Sequence, residues 1–313
     1  MTSAPVSRRA PVGSRTAWGG IAGIGVYRPP ADALDAARMT GPECLGVSYR
    51  VQAKSGLNTA SLAAGAARAA LQASGTNPAD IEMIVVGTTT PDVLWPTTAC
   101  LVQAELNLPM VASFDLYAAE ASLLTAFDVA AHYMVAGAKA ALVIGAEAAN
   151  QLVDFPGQSG GRHPRAATAV VLSRSDRAGA VLATAAGGRA IHEGTNVNGS
   201  QAATLDGLSQ AVTQCLERAQ LSLGDIDLVI AEQTAPDLMR AWSTRAGVQP
   251  EAFLLEPDRY TDTFAAAPFA VLHDAVKDGR LREGQTALLL ACGSGPVWAV
   301  ACVRWGSGGV AEW

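Results

Sequence analysis

Three stretches of this chain carry acids suited to proton chemistry: FDLYAAEASLLTAF (114–127), IAEQTAP (230–236) and RYTDTFAAAPFAVL (259–272). The acids in question are Glu120, Glu232 and Asp262. A carboxyl group donates when protonated and only accepts when ionised. Three of them within a few ångströms of one another cannot all ionise, and at least one pKa then rises by roughly 1–3 units. A mixed acid–base set near neutral pH suits decarboxylation, enolisation, dehydration, cyclisation or hydrolysis. Spacing alone does not bring these three acids together.

Other reactive residue types offer less. Five cysteines (Cys44, Cys100, Cys215, Cys292, Cys302) show neither a CxxC pair nor zinc spacing and read as reduced core thiols. GIAGIG (20–25) has the wrong glycine order for a dinucleotide loop and precedes YRPP rather than a helix, so no nucleotide cofactor is expected. Three carboxylates suit Mg²⁺ or Mn²⁺ in principle, but we expect no metal.

The elements that must position these residues are those of a large α/β protein. A chain of 313 residues, 50% hydrophobic and 16% charged, can bury a large core. Its net charge of −6 argues against nucleic acid. Apolar stretches near 129–146 and 286–302 are interrupted by His132 and Lys139 or by Gly and Pro, which predicts buried helix and strand rather than membrane spans. Residues 1–17 are Pro-, Ser- and Arg-rich and read as a disordered tail.

An internal repeat organises the rest. AARAALQASGTNPADIEMIVVGTTTP (66–91) aligns without a gap on AVTQCLERAQLSLGDIDLVIAEQTAP (211–236). AGAKAALVIGAE (136–147) likewise matches EGQTALLLACGS (283–294). Each copy runs helix, polar turn, apolar strand, which predicts two duplicated α/β halves on mostly parallel sheets. We place them at 18–175 and 176–313. GRAIHEGTNVNGSQAATLDG (188–207) reads as a polar connection.

DIEMIVVGTTTPDVLWPTTACLVQAELNL (80–108), FDLYAAEA and GQTALLLACGSGPVWAVACVRW (284–305) resemble, in order and spacing, the thiolase-like condensing enzymes, most closely the beta-ketoacyl-ACP synthase III group. The resemblance runs from about Gly20 to Trp305. It implies a thiolase fold of two halves in a five-layer α-β-α-β-α arrangement.

The resemblance also implies a site. The family carries a Cys, a His and an Asn where this chain has Glu120, Glu232 and Asp262. Glu120 would sit at the start of a buried helix, where free N–H groups favour an anion. Its backbone and that of Ser294, in the Cys292–Pro296 element, would form the oxyanion hole. Gln233 belongs to the element of the missing His, and Thr263 to that of Asp262. Trp95 lies in a segment that forms the pocket rim and dimer interface. Arg50 is the sole candidate for gripping a CoA nucleotide. His163 and Arg165 replace small residues of a Gly-rich segment and are expected on the surface.

A carboxylate does not replace a thiolate in thioester exchange. The implied function is therefore acyl-thioester processing in polyketide-type specialised metabolism without Cys-based Claisen condensation. The implied partner is an acyl carrier protein, in a cytoplasmic homodimer. The alternative is a catalytically inactive subunit paired with an active ketosynthase in a heterodimer.

Overall fold

The computed structural model describes residues 18–29, 43–44, 47–48, 58–148, 165–190, 197–293 and 296–313; at 43–44, 47–48, 165, 197–200 and 261–262 only the backbone is described. The expectations for the 1–17 tail, Arg50, His163 and Ser294 lie outside these residues, as does that for the Arg165 side chain.

The first half of the chain contributes β1 (Gly20–Tyr27), a short pair β2 (Glu43–Cys44) and β3 (Val47–Ser48), α1 (Thr59–Ser74), β4 (Ile81–Gly87) and α2 (Thr98–Glu105). β5 (Ala112–Leu116), α3 (Ser122–Val135), β6 (Ala140–Ala148) and β7 (Arg165–Ser173) follow. The second half contributes β8 (Ala180–Gly188), α4 (Val197–Ala219), β9 (Leu228–Ala231), α5 (Pro236–Ala246) and β10 (Phe253–Leu254). It ends with α6 (Pro257–Tyr260), α7 (Ala267–Lys277), β11 (Thr286–Gly293), β12 (Val297–Arg304) and β13 (Gly309–Glu312).

The repeat is structural. Pro78–Asp80 and Leu223–Asp225 are both single 3₁₀ turns that deliver the chain from α1 into β4 and from α4 toward β9. One sheet has the order β13-β1-β7-β6-β4-β5 and the other β10-β9-β11-β12-β8. Read from β1 and from β8, the two share one five-strand order. β13 crosses back from the second half to pair with β1.

Both sheets are mixed rather than mostly parallel. β4 runs parallel to β5 and β6, and β9 to β10 and β11. β7 and β12 run antiparallel to both their neighbours. For β11 and β12 the reason is connectivity: only residues 294–296 separate them, too few for a crossover helix, and a direct return makes an antiparallel pair.

Three apolar clusters define five layers. One lies between α1, α2 and the outer face of the first sheet. One fills the space between the sheets around α3 and α7. One lies between the second sheet and α4 and α5. Phe127 of α3 and Phe269 of α7 meet in the middle layer with ring centroids 5.1 Å apart, both fully buried. Truncating either to Ala would cost about 3–5 kcal/mol.

Residues 197–207 belong to α4 rather than to a polar connection. The Gly and Asn residues that suggested a loop are outweighed by burial further along the helix, where Leu208, Ala211, Val212 and Cys215 are in the outer core.

Candidate active site

Glu120 lies in a tight turn between β5 and α3. Ala119 has φ +49°, a left-handed conformation that non-glycine residues rarely adopt. The Ser122 hydroxyl closes the turn by accepting from the Ala118 N–H at 2.8 Å and donating to the Ala119 carbonyl. The turn rests on the inner face of the first sheet because that face is cut away beneath it. Gly87 and Gly145 are cross-strand partners on β4 and β6. A Cβ on Gly87 would lie 2.6–2.8 Å from the Ser122 backbone and the Leu123 nitrogen, and one on Gly145 would lie 2.7 Å from the Leu123 side chain. Glu120 is half-buried there.

Glu232 follows β9 and is fully buried. Alternation from Leu228 and Ile230, both in the middle layer, turns it to the inner face of the second sheet. Its carboxylate accepts the Thr234 N–H and, at 3.1 Å, the Ala235 N–H, just ahead of α5. Burial pushes its pKa up to about 7; those hydrogen bonds oppose the rise and the Glu120 charge adds to it. The two acids therefore sense each other. At the repeat offset the counterpart of Glu232 is Gly87, so this acid is an asymmetry between the halves.

Asp262 lies on the 3₁₀ segment Thr261–Ala266, which packs on β6 and β7. Phe264, two residues on, has φ +43°. Thr168 of β7 holds the end of the segment by donating to the Ala266 carbonyl at 3.2 Å. Thr263 is buried and its hydroxyl donates to the Tyr260 carbonyl. Gln233 is turned into the scaffold. Its amide N–H groups reach the Ala231 and Leu254 carbonyls and its oxygen takes the Glu256 N–H at 2.7 Å, which ties β9 to β10. Trp95 is 83% exposed.

One nearby residue, Glu147, escaped the sequence reading, and another, Cys292, was read there only as a core thiol at the start of the Ser294 element. Glu147, near the end of β6, is fully buried and takes hydrogen bonds from Thr89 and Thr90. Burial raises its pKa to about 7, with Glu120 contributing. The signal available was an acid two residues beyond Gly145 in an otherwise apolar strand. Cys292 is far from both acids in sequence, yet both Glu232 and Glu120 add to the burial that pushes its thiol well above the ordinary range. Gly293, next along β11, abuts the Glu120 turn: a Cβ there would meet the Ala118 oxygen at 2.8 Å.

The described group best spaced to hold a metal lies elsewhere. Ligand atoms of His273, Asp274 and Glu312 fall within 4.8 Å of one another. Cations already occupy that place: Arg28 contacts Asp274 and Glu312, both at 3.1 Å, Arg259 contacts Asp274 at 2.8 Å, and Lys277 contacts Glu312 at 3.0 Å. A surface groove of about 560 Å³, lined by Asp206, Ser209, Thr213 and Arg245, contains none of the three acids.

The family models for 3-oxoacyl-[acyl-carrier-protein (ACP)] synthase III match residues 114–190 and, for its C-terminal part, 216–305. The beta-ketoacyl-[acyl-carrier-protein] synthase III of Xanthomonas campestris pv. campestris (strain 8004) is 30% identical over 324 residues, covering 93% of this chain and 100% of that protein. The chain belongs to the synthase III family. The Aquifex aeolicus (strain VF5) synthase III is also 30% identical, over 78% of this chain and 83% of its own. The solved 3-oxoacyl-[acyl-carrier-protein] synthase III from Aquifex aeolicus VF5 superposes with a TM-score of 0.76 at 27% identity, covering 92% of this chain and all of that one. Xanthomonas campestris OleA shares the fold, with a TM-score of 0.71 at 18% identity. In this synthase III family member the turn between β5 and α3 reads AAEAS, with Glu120 at its centre and no thiol.

Proposed function

We propose that this chain processes acyl thioesters by carboxylate acid–base chemistry, with Glu120, Glu232 and Asp262 as the working groups. The observation that carries the reading is the pairing of half-buried Glu120 with fully buried Glu232, whose pKa is lifted to about 7. A carboxyl group near neutrality donates a proton to a thioester carbonyl or enolate and takes one back with little driving force lost. Thioester decarboxylation, cyclisation, dehydration or acyl transfer all require such a step. Claisen condensation through a thiolate does not fit. The Glu120 turn has no cysteine, and the Cys292 thiol is held protonated by burial.

The substrate carrier is an acyl carrier protein, and the metabolic setting is polyketide-like. The kinship with acyl-carrier-protein synthases III supports the carrier. The protein works as a soluble cytoplasmic homodimer joined along β5. Among the described residues that strand is an edge of the first sheet, and Leu94, Trp95, Met110, Phe114 and Tyr117 are exposed on or near it. Trp95 then lines the pocket rim across the dimer. The backbone N–H groups of Glu120 and Ser294 form the oxyanion hole. The same exposed edge would also fit a Cys-bearing homologue, which keeps a non-catalytic subunit as the second reading.

The test offers malonyl-, acetyl-, β-ketoacyl- and aryl-carrier-protein thioesters and follows each by intact mass. Turnover that falls at least about tenfold in Glu120→Gln supports the proposal, and the mass change names the reaction. Equal turnover by the variant removes Glu120 from the chemistry. No turnover by the wild type, together with a co-purifying ketosynthase, establishes the subunit reading.

A further inference from the structure

The 3₁₀ segment that carries Asp262 is held in a shape it would not take alone. Phe264, inside it, stands at φ +43°, ψ −124°. A bulky residue keeps such a conformation only where its surroundings over-determine it.

Two clamps flank the kink. At the far end Thr168, fully buried on β7 of the first sheet, donates to the Ala266 carbonyl at 3.2 Å. At the near end stands Tyr260, the residue just before the segment and fully buried. Its carbonyl accepts from the Thr263 hydroxyl, and its own hydroxyl donates to the Asp274 carboxylate at 2.6 Å. Asp274 lies on α7, the helix that the segment runs into. The Tyr260–Asp274 bond therefore joins the residue before the segment to the element after it and closes a loop across Asp262.

Asp274 is itself fixed. Its side chain is 2% exposed. Oδ2 also accepts from Arg259 at 2.8 Å and from Arg28 at 3.1 Å, and Oδ1 lies 2.8 Å from His273 Nδ1. The two guanidinium groups lie over the Tyr260 ring, 5.2 and 6.0 Å from its centroid. Arg28 is tied in turn to Glu312 of β13 at 3.1 Å. A buried carboxylate met by four partners has little freedom to move, and the charge-assisted bonds among them are directional.

We propose that Tyr260, with Asp274 as its acceptor, and Thr168 are positioning residues for Asp262, clamping the kinked segment from α7 on one side and from β7 on the other. This rests on Asp262 being a working group. The reach from clamp to acid is short, since Asp262 comes two residues after Tyr260 and four before Ala266. A displacement of about 1 Å at a reacting group costs on the order of a hundredfold in rate.

The test is hydrogen exchange on the full chain, read by mass spectrometry with no substrate present. Tyr260→Phe removes one hydroxyl; Thr168→Val keeps the shape of the strand and removes one donor. Peptides covering 261–266 should exchange at least about tenfold faster in each variant, because losing a buried hydrogen bond shifts a local opening equilibrium by about that factor. Peptides from α2 and β12 should exchange as in the wild type. Unchanged exchange over 261–266 in either variant overturns the proposal, and so does equal acceleration along the whole chain. Where a thioester is turned over, Tyr260→Phe should lower kcat by about tenfold or more and leave KM within about twofold. The same substitution should cost nothing further in an Asp262→Asn background. An equal loss there would make Tyr260 a merely structural residue and overturn its role. A chain that turns over no thioester sinks the proposed function, and the exchange result then decides the clamp by itself.

Discussion

Glu232→Gln offers a direct check on the electrostatics of the site through stability. In the folded chain the Glu232 carboxyl has its pKa raised from 4.5 to about 7, chiefly by burial. A raised carboxyl pKa means that the folded state keeps a proton which the unfolded chain releases. The contribution is fully present below about pH 4.5 and is lost as pH rises through 7. At 1.36 kcal/mol per pKa unit, the loss between pH 5 and pH 8 is about 2.5 kcal/mol. Glutamine keeps the shape and does not titrate. It accepts only one of the Thr234 and Ala235 N–H groups, and its own amide opposes the other, at a cost of about 1–2 kcal/mol. The variant should therefore be less stable than wild type at pH 5 and as stable or more so at pH 8. At about 2 °C per kcal/mol, the melting-temperature difference between the two proteins should swing by about 5 °C over that range. Circular dichroism melts at half-unit pH steps would measure it. A difference that stays constant from pH 5 to pH 8 would refute the account of Glu232 as a buried acid forced toward neutrality.

Four further outcomes follow from the geometry. Asp274→Asn should destabilise by about 3–5 kcal/mol in chemical denaturation, because it strips the buried anion from Arg28 and Arg259. Although burial pushes the Asp274 pKa up, hydrogen bonds from His273 and Tyr260 and those two guanidinium groups hold it well below the ordinary value. The stability that Asp274 supplies should therefore be present above about pH 4 in the wild type and disappear on strong acidification, a dependence the Asn variant lacks. Trp95→Asp should shift size-exclusion elution toward monomer without lowering the melting temperature by more than about 1 kcal/mol equivalent, since the side chain is 83% exposed; unchanged elution would remove Trp95 from the interface. Gly145→Val should destabilise by about 2 kcal/mol or more and displace the Glu120 turn, because the added atoms run into Leu123 at 2.7 Å. Cys292 should resist iodoacetamide at pH 8 in the native protein and react only on unfolding, as mass mapping of the alkylated peptide would show.

The duplicated architecture was legible in the sequence because each half repeats the same local instructions. In both copies an amphipathic helix, a 3₁₀ turn ending in Asp80 or Asp225 and a short apolar strand follow in order. Glu120 and Glu232 were legible as acids in motif positions. That they lie within reach of each other's charge was a matter for the tertiary structure, because they come from different sheets and over a hundred residues apart. The mixed strand directions were not legible either, since a fully buried strand reads the same whether its neighbour is parallel or antiparallel. Gln233 looked like a site residue, yet its amide is consumed by three backbone groups that only the folding of β9 beside β10 brings together.

The amino-acid order by itself determined the family, the repeat and the presence of an acid, Glu120, with no thiol in the turn before α3, because these depend on local type and spacing. Tertiary structure decided the electrostatics. Glu147 and Glu232 become near-neutral acids only because whole layers of sheet and helix remove them from water. Cys292 likewise comes under the influence of two acids only when β11 is laid beside β9. Desolvation and charge–charge interaction depend on distance through space, which no local pattern along the chain encodes.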